Sequence, residues 1–152
     1  MAPSAAHLFL LREEKGKTEV LLQKRKGNIW ASGWWDASAA GHVEKKEPMT
    51  KALIRESAEE IGVTIKKENI IFVYAQHAWK VFADDTDEKW VYCNGYFFVK
   101  EFDGTPKVCE CDKCDCLKWF DVKKLPKKLI PTRKQAIEGY LAGESYGEFG
   151  WY

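Results

Sequence analysis

Three glutamates lie close together in a segment that has the spacing of a helix. Residues 49–61 show helical periodicity, Pro48 stands where a first helical turn can begin, and Gly62 is placed to end the helix. At about 100° per residue, three carboxylates fall on one side of this helix, those of Glu56, Glu59 and Glu60. Like charges three and four residues apart repel each other, so something is expected to offset the repulsion.

This pattern of carboxylates has two interpretations. A solvated acidic helix face is common, and the local sequence alone favours it. A divalent cation is the alternative, because carboxylate oxygens suit Mg²⁺, Mn²⁺ or Ca²⁺. The opposite side of the helix carries Ile54, Ala58 and Ile61, which are expected to face a core.

Residues around the helix change the balance between these interpretations. Gly41 is followed after five residues by Glu47, which is followed after seven by Arg55 and the glutamates, and Gly62 comes two positions after the last of them. This spacing resembles the Nudix box of the MutT-like Nudix hydrolase family. All defined positions of the box match except Ser57, where the family usually has an aliphatic residue, and Ser57 is expected to affect packing and not metal binding.

The resemblance extends over residues 6–126 and implies the α+β Nudix fold, a mixed β-sheet sandwich flanked by helices. The hydrophobic pattern favours the same fold class, because strands precede and follow the helix. Strands are predicted at 6–12, 20–25, 34–43, 70–81, 89–99 and 117–120, and helices at 49–61 and 133–142. Residues 1–152 are expected to form one domain, whose length suits a single core.

The resemblance also implies roles for individual residues. Glu59 and Glu60 would bind the divalent cation, Mg²⁺ or Mn²⁺, and Glu56 would be a further ligand or the base that activates water. The carbonyl of Gly41 would join the metal ligands. The remaining implied residues are Arg55 and Glu47, which would pair and orient the glutamates, and Glu110, which is either a further ligand or base or an ordinary loop acid.

The substrate implied by the family is a nucleoside di- or triphosphate or a related nucleotide derivative, whose diphosphate linkage is attacked at phosphorus by water. Trp30 and Trp34 adjoin a glycine-bearing loop, where indole rings either stack on a nucleobase or fill a core. Arg25 and His42 complete the expected substrate-binding residues. His42 either touches phosphate or is structural.

Two other functions compete with hydrolysis. Residues 36–42 depart from the family's common Pro-Gly-Gly pattern and are closer to the related isopentenyl-diphosphate isomerases. Those enzymes carry a catalytic cysteine near this strand, whereas Ala39 and Ala40 stand here. A non-catalytic binding or regulatory module with the same fold is the other alternative, but such modules usually lose the glutamates that this chain keeps.

Cysteine usage bears on compartment and on a second metal. The chain has five cysteines, and four of them lie between Cys109 and Cys116, which is not the spread of a disulfide scaffold. A reduced, cytoplasmic protein is therefore expected. Four thiols at 109, 111, 114 and 116 either bind Zn²⁺ or Cu⁺ or are free thiols in a loop.

The overall charge limits the expected partners. The chain has 24 basic and 23 acidic residues, so its net charge of +1 gives no reason to expect a nucleic-acid polymer or an anionic membrane. No targeting or membrane-spanning segment is evident. A basic stretch at 123–134, which includes Arg133, either steers an anionic substrate or is a solvated surface, and the solvated surface is favoured. The aromatic tail at 146–152 is expected to pack on its own domain or on a partner subunit. The resemblance to the Nudix family, whose members are often dimers, implies a possible homodimer.

Overall fold

Eight strands and two α-helices follow one another in the part of the chain that the structure, a computed structural model, describes: residues 4–82, 85 and 91–151. The elements are β1 (Ser4–Glu14), β2 (Lys17–Arg25), β3 (Trp35–Asp36), β4 (Ala39–His42), α1 (Met49–Ile61), a short 3-10 helix (Lys67–Asn69), β5 (Ile71–Ala78), β6 (Tyr92–Val99), β7 (Cys114–Asp121), α2 (Pro131–Leu141) and β8 (Tyr146–Phe149).

The long first strand joins two parts of a mixed sheet. Its first half pairs in parallel with β6 and antiparallel with β4, while residues 11–14 pair antiparallel with β2. The strands β5 and β8 extend the sheet beyond β6, and β3 and β7 pair with β2. The predicted mixed sheet is therefore present, and β1 places the ends of β2 and β4 beside each other.

The two helices cover opposite faces of this sheet. Successive residues of a strand point to opposite faces, so Leu8 and Leu10 of β1 pack with α1, whereas Phe9 packs with Ile137 of α2. Tyr96 of β6 and Leu53 of α1 are fully buried on these two sides. Helices on both faces bury each side of β1, which explains why this strand is nearly continuous in apolar residues.

The buried side of α1 differs from the predicted one. Leu53, Ser57 and Ile61 are buried, whereas Ala58 is exposed and the prediction for Ala58 was wrong. Leu53, Ser57 and Ile61 follow each other at four-residue intervals, which forms one stripe along a helix. Ser57 lies in this stripe, as a packing position does, and its hydroxyl donates to the carbonyl of Ile54 at 3.2 Å.

The second helix begins at Pro131, two residues before the predicted start. Proline has no amide hydrogen to donate, which costs nothing in the first turn of a helix. None of the helices in the described ranges is long and apolar enough to cross a membrane.

The strands that follow α1 match the prediction in kind but not in length. The strand predicted at 70–81 ends at Ala78, and β6 begins at Tyr92. The start of the strand predicted at 89–99 lies outside the described residues. The strand predicted at 117–120 is longer, from Cys114 to Asp121, because it pairs with the whole length of β2.

The C-terminal segment packs on its own domain. Residues 146–149 form β8, which pairs in parallel with β5, and the indole nitrogen of Trp151 donates to the carbonyl of His77 at 2.9 Å. This strand was not predicted, because four residues with a glycine show no clear alternation.

Replacement of Leu53 by alanine is expected to lower the free energy of unfolding by about 2–5 kcal/mol, because it leaves a cavity between α1 and the sheet. Leu141→Ala is the matched control: Leu141 is 52% exposed near the end of α2, and its replacement should change stability by less than about 0.5 kcal/mol. Urea denaturation of both variants measures the difference, and equal losses would contradict the described packing.

Candidate active site

The three glutamates of α1, termed the glutamate cluster, differ in their surroundings. Glu60 is half-buried and lies between β2 and β4: the amide of Gln23 donates to its Oε1 at 3.2 Å, and the main-chain amide of Ala40 donates to its Oε2 at 3.1 Å. Glu59 has a side chain that is 56% exposed. Glu56 is mostly covered by its neighbours. The cluster therefore faces the ends of β2 and β4.

Gly41 lets β4 approach the helix. A β-carbon at this position would lie 2.5 Å from Oε1 of Glu56, so the Glu56 side chain could not keep its present place. The main chain at Gly41 therefore contacts the Glu56 side chain directly. The structure thus brings together two residues of the predicted metal site that lie on different elements.

Arg55 forms hydrogen bonds with Glu47, the residue with which it was predicted to pair. Its Nε and Nη2 donate to the two oxygens of Glu47 at 3.1 and 3.0 Å, so the predicted pair is present. These hydrogen bonds keep the pKa of Glu47 below its usual value. The Nη1 of Arg55 also donates to Glu56 at 2.5 Å and lies 3.8 Å from Glu59. The guanidinium of Arg55 therefore links Glu47, which lies just before the helix, to two members of the glutamate cluster.

The glutamate cluster concentrates negative charge that burial makes unfavourable. Burial, together with the neighbouring Glu56, raises the pKa of Glu60 to about 9. Oxygen donors from carboxylates beside a main-chain segment suit a hard divalent cation, which would offset this repulsion, so the residues fit Mg²⁺ or Mn²⁺. As placed, these carboxylates contact Arg55, Gln23 and the Ala40 amide, and within the described residues no three His, Cys, Asp or Glu side chains are close enough to hold a metal.

Glu110 lies in a loop that docks on the end of α1. The main-chain amide of Cys109 donates to the main-chain carbonyl of Glu60 at 3.2 Å, so the residue before Glu110 contacts the last turn of α1. The main-chain carbonyl of Glu110 accepts from Lys113 and Cys114 and so begins β7. Among the described residues, no hydrogen bond joins its carboxylate to the cluster.

The four clustered cysteines are free thiols. Cys109 and Cys111 are exposed, whereas Cys114 is buried, and burial and the neighbouring Cys116 raise the pKa of its thiol to about 11. Since the described part of the chain has no group of three ligands near each other, the structure gives no support to a zinc or copper site.

The two tryptophans expected to bind substrate share one neighbour. The rings of Trp30 and Trp34 lie 5.4 and 4.9 Å from the ring of Phe82, and the indole of Trp30 donates to Asp85 at 3.3 Å. Both tryptophans are half-buried. The structure therefore groups them, and the ring of Phe82 packs against both.

His42 lies at the surface beside Gly41. Its ring stacks on Tyr92 with 5.5 Å between centroids, and its Nε2 lies 3.0 Å from the Tyr92 hydroxyl. The pair connects the end of β4 with the start of β6. His42 is thus next to the predicted metal site but exposed.

Arg133 was assigned to a solvated basic stretch, and this prediction was wrong. The lysines of that stretch are exposed, but Arg133 is only 8% exposed. Its Nε donates to Asp36 at 2.7 Å, and Asp36 also accepts from Arg25 at 3.2 Å. Helical spacing was the available signal, because Arg133 lies three and four residues before the buried Ala136 and Ile137.

A network of buried hydrogen bonds joins side chains of β1, β5 and β6 to the start of α2. Gln76 donates to the carbonyl of Thr132 at 3.0 Å and accepts from Asn94 and Tyr96 at 3.1 and 2.9 Å. The oxygen of Asn94 therefore faces His7, whose Nε2 lies 3.1 Å away and must donate. Sequence reasoning missed this network, since its members come from four separate elements.

Comparison with known proteins identifies the family. The sequence model described as "NUDIX domain" matches residues 1–140. The chain belongs to the Nudix family. An uncharacterised Nudix hydrolase of Listeria innocua is 37% identical over 83 residues, and one of Listeria monocytogenes is 33% identical over 96 residues. These matches cover 51% and 59% of this chain, and they span about half the length of the relatives, 47% and 52%.

Solved structures confirm the α+β Nudix fold. The crystal structure of a MutT Nudix hydrolase from Burkholderia pseudomallei has a TM-score of 0.75 at 24% identity and covers 91% of this Nudix domain and 97% of that chain. The Nudix domain of Shewanella oneidensis NrtR, solved as a complex with ADP ribose, has a TM-score of 0.71 at 16% identity, covering 94% and 88%. At such identities the likeness concerns the fold.

The buried His7 predicts a specific pH dependence of stability. Burial, and then the charge of Arg133, lower the pKa of His7 from 6.5 to about 3, while Asp36 acts in the opposite direction and His42 adds to the lowering. Between these two pH values the unfolded chain binds a proton that the folded chain does not bind. The contribution of His7 to the free energy of unfolding is therefore fully present above pH 6.5 and is lost as the pH falls towards 3.

His7→Gln keeps a donor for Asn94 but removes this titration. The free energy of unfolding of the variant should fall less than that of the wild type between about pH 7.5 and about pH 5, as measured by urea denaturation at each pH. His77→Gln, at a half-buried position of β5, is the control. Parallel pH curves for wild type and His7→Gln would show that His7 does not titrate as described.

Proposed function

We propose that this Nudix domain is a divalent-metal-dependent hydrolase that cleaves a diphosphate linkage in a nucleoside di- or triphosphate or a related nucleotide derivative, with water attacking phosphorus. The observation that carries the proposal is the contact of the Gly41 main chain with Glu56, next to Glu60 held between β2 and β4. A chain that only presents an acidic surface has no need to bury one of its carboxylates against a strand.

The glutamates and the main chain of Gly41 would hold Mg²⁺ or Mn²⁺, with Glu110 as a further ligand or base. When bound, such a cation neutralises the diphosphate and lowers the pKa of water. Glu56 would be a ligand or accept the proton of the attacking water. Arg55 orients Glu56 and is itself fixed by Glu47, so these two residues act through position.

The proposed substrate contacts are Trp30, Trp34, Arg25 and His42. Half-buried indoles offer a face for a nucleobase, and the guanidinium of Arg25 suits a phosphoryl oxygen. The ADP ribose in the Shewanella neighbour is an example of a diphosphate-containing ligand on this fold. We propose a small molecule and not a nucleic-acid polymer as the substrate, since the net charge is only +1.

A release assay tests this function. The purified protein, with Mg²⁺ or Mn²⁺, is incubated with nucleoside triphosphates, oxidised nucleoside triphosphates, dinucleoside polyphosphates, nucleotide sugars and isoprenoid diphosphates, and phosphate or pyrophosphate release is measured. Metal-dependent release from a nucleotide supports the proposal. Isomerisation of an isoprenoid diphosphate, or binding without turnover across the panel, would replace it with one of the alternatives.

Replacement of Glu59 or Glu60 by glutamine is expected to abolish metal-dependent hydrolysis, since an amide is a weaker ligand than a carboxylate and takes no proton. Glu138→Gln, at an exposed position of α2, is the matched control and should keep full activity. Circular dichroism checks that each variant is folded. Turnover by folded Glu59→Gln or Glu60→Gln close to that of wild type would exclude the mechanism.

A further inference from the structure

Two arginines share one buried carboxylate. Arg133 donates from Nε to one oxygen of Asp36 at 2.7 Å, and Arg25 donates from Nη1 to the other at 3.2 Å. In the described part of the chain, Asp36 is the only acid within salt-bridge distance of either arginine. These two residues, termed the guanidinium pair, therefore carry one more positive charge than their partner balances.

The charges of all three groups are retained despite their burial. Burial alone would raise the pKa of Asp36, but attraction to Arg133 and Arg25 outweighs it and lowers the pKa to about 2. Burial likewise opposes the charge of Arg133, yet attraction to Asp36 raises the pKa of Arg133 above its ordinary value. The surplus positive charge is therefore permanent over the physiological pH range.

The guanidinium pair is held rigidly. Arg25 donates from Nε to the carbonyl of Trp30 at 2.8 Å, and Arg133 donates from Nη1 to the hydroxyl of Thr132 at 2.9 Å. Both guanidiniums lie near the ring of Trp30, at 5.7 and 5.8 Å from its centroid. Groups that are already ordered lose little entropy when a ligand binds, which favours a binding role.

The pair lies beside the glutamate cluster. Arg25 lies two residues after Gln23 on β2, beyond a β-bulge between Lys24 and Arg25, and Gln23 contacts Glu60. On the other side, the charge of Arg133 acts on Tyr92, whose hydroxyl contacts His42 next to Gly41. Fixed positive charge thus adjoins the residues proposed to hold a cation.

We propose that Arg133 is a substrate-binding residue and that, with Arg25, it binds a phosphoryl group of the substrate. This inference rests on the proposed function for its substrate class. Guanidinium groups donate paired hydrogen bonds to phosphoryl oxygens, and one negative charge of a phosphoryl group there balances the surplus charge of the pair. The side chain of Arg25 is 25% exposed and that of Arg133 is 10% exposed, so Arg25 forms the more open side of the pair.

Arg133 also ties α2 to β3 through Asp36, so the test must separate binding from folding. Inorganic pyrophosphate is titrated calorimetrically onto the full chain in the presence of EDTA, where binding depends on protein cations alone. Arg133→Met is expected to weaken this binding by about tenfold or more, the loss of at least one charge-assisted hydrogen bond. Arg133→Lys keeps the charge but loses the fork and should bind with intermediate affinity.

Lys134→Met removes an equal charge from the neighbouring, exposed position of α2 and should change the affinity by less than about twofold. Thermal unfolding shows whether each variant is folded. If Arg133→Met does not fold, Arg25→Met at the more exposed position replaces it, with the same expected loss. Unchanged affinity in a folded variant, an equal loss in Lys134→Met, or no pyrophosphate binding by the wild type would each overturn the proposal.

The two proposals fail differently. Glu60→Gln should abolish hydrolysis yet bind pyrophosphate without metal about as tightly as the wild type, because Glu60 is not part of the guanidinium pair and glutamine adds no charge near the ligand. A wild type that hydrolyses nothing but loses pyrophosphate affinity through Arg133→Met contradicts only the proposed function. A hydrolase whose pyrophosphate affinity is insensitive to Arg133 contradicts only the phosphoryl-binding role.

Discussion

The close approach of α1 to β4 is the constraint on which the rest of the site depends. A side chain at position 41 would collide with Glu56, so the glycine lets the helix and the strand meet. The same approach places Glu60 where the Ala40 amide and Gln23 both donate to it. Packing of Leu53 and Ile61 against the sheet holds the helix in that place, so hydrophobic burial positions the carboxylates.

Groups of opposite charge lie near the contact between α1 and β4. The glutamate cluster gathers negative charge, some of it buried, and the guanidinium pair next to it carries surplus positive charge on a buried carboxylate. Buried charges are costly unless they are paired, and the proposed cation and phosphoryl group would compensate both arrangements. The proposed substrate, an anionic phosphoryl chain with a bound divalent cation, would be complementary to both the guanidinium pair and the glutamate cluster.

Local signals predicted much of the fold. Pro48 and Gly62 marked the bounds of α1, and the structure has the helix between them, with Gly62 in the left-handed conformation that a C-cap requires. The first two strands and the mixed sheet also followed from apolar periodicity. β8 was missed because its hydrogen bonds come from β5 and not from any local pattern.

The sequence by itself determined the helix, the spacing of the glutamates around it and the membership of the Nudix family, because helical periodicity and motif spacing are properties of neighbouring residues. Only the tertiary structure decided which distant groups meet. Gln23 and Glu60 are 37 residues apart, and Asp36 and Arg133 are 97 apart. Such contacts depend on sheet register and on the packing of helices against both faces, which no short segment encodes. For this reason Arg133 was predicted to be solvated, whereas the packing of α2 buries its side chain.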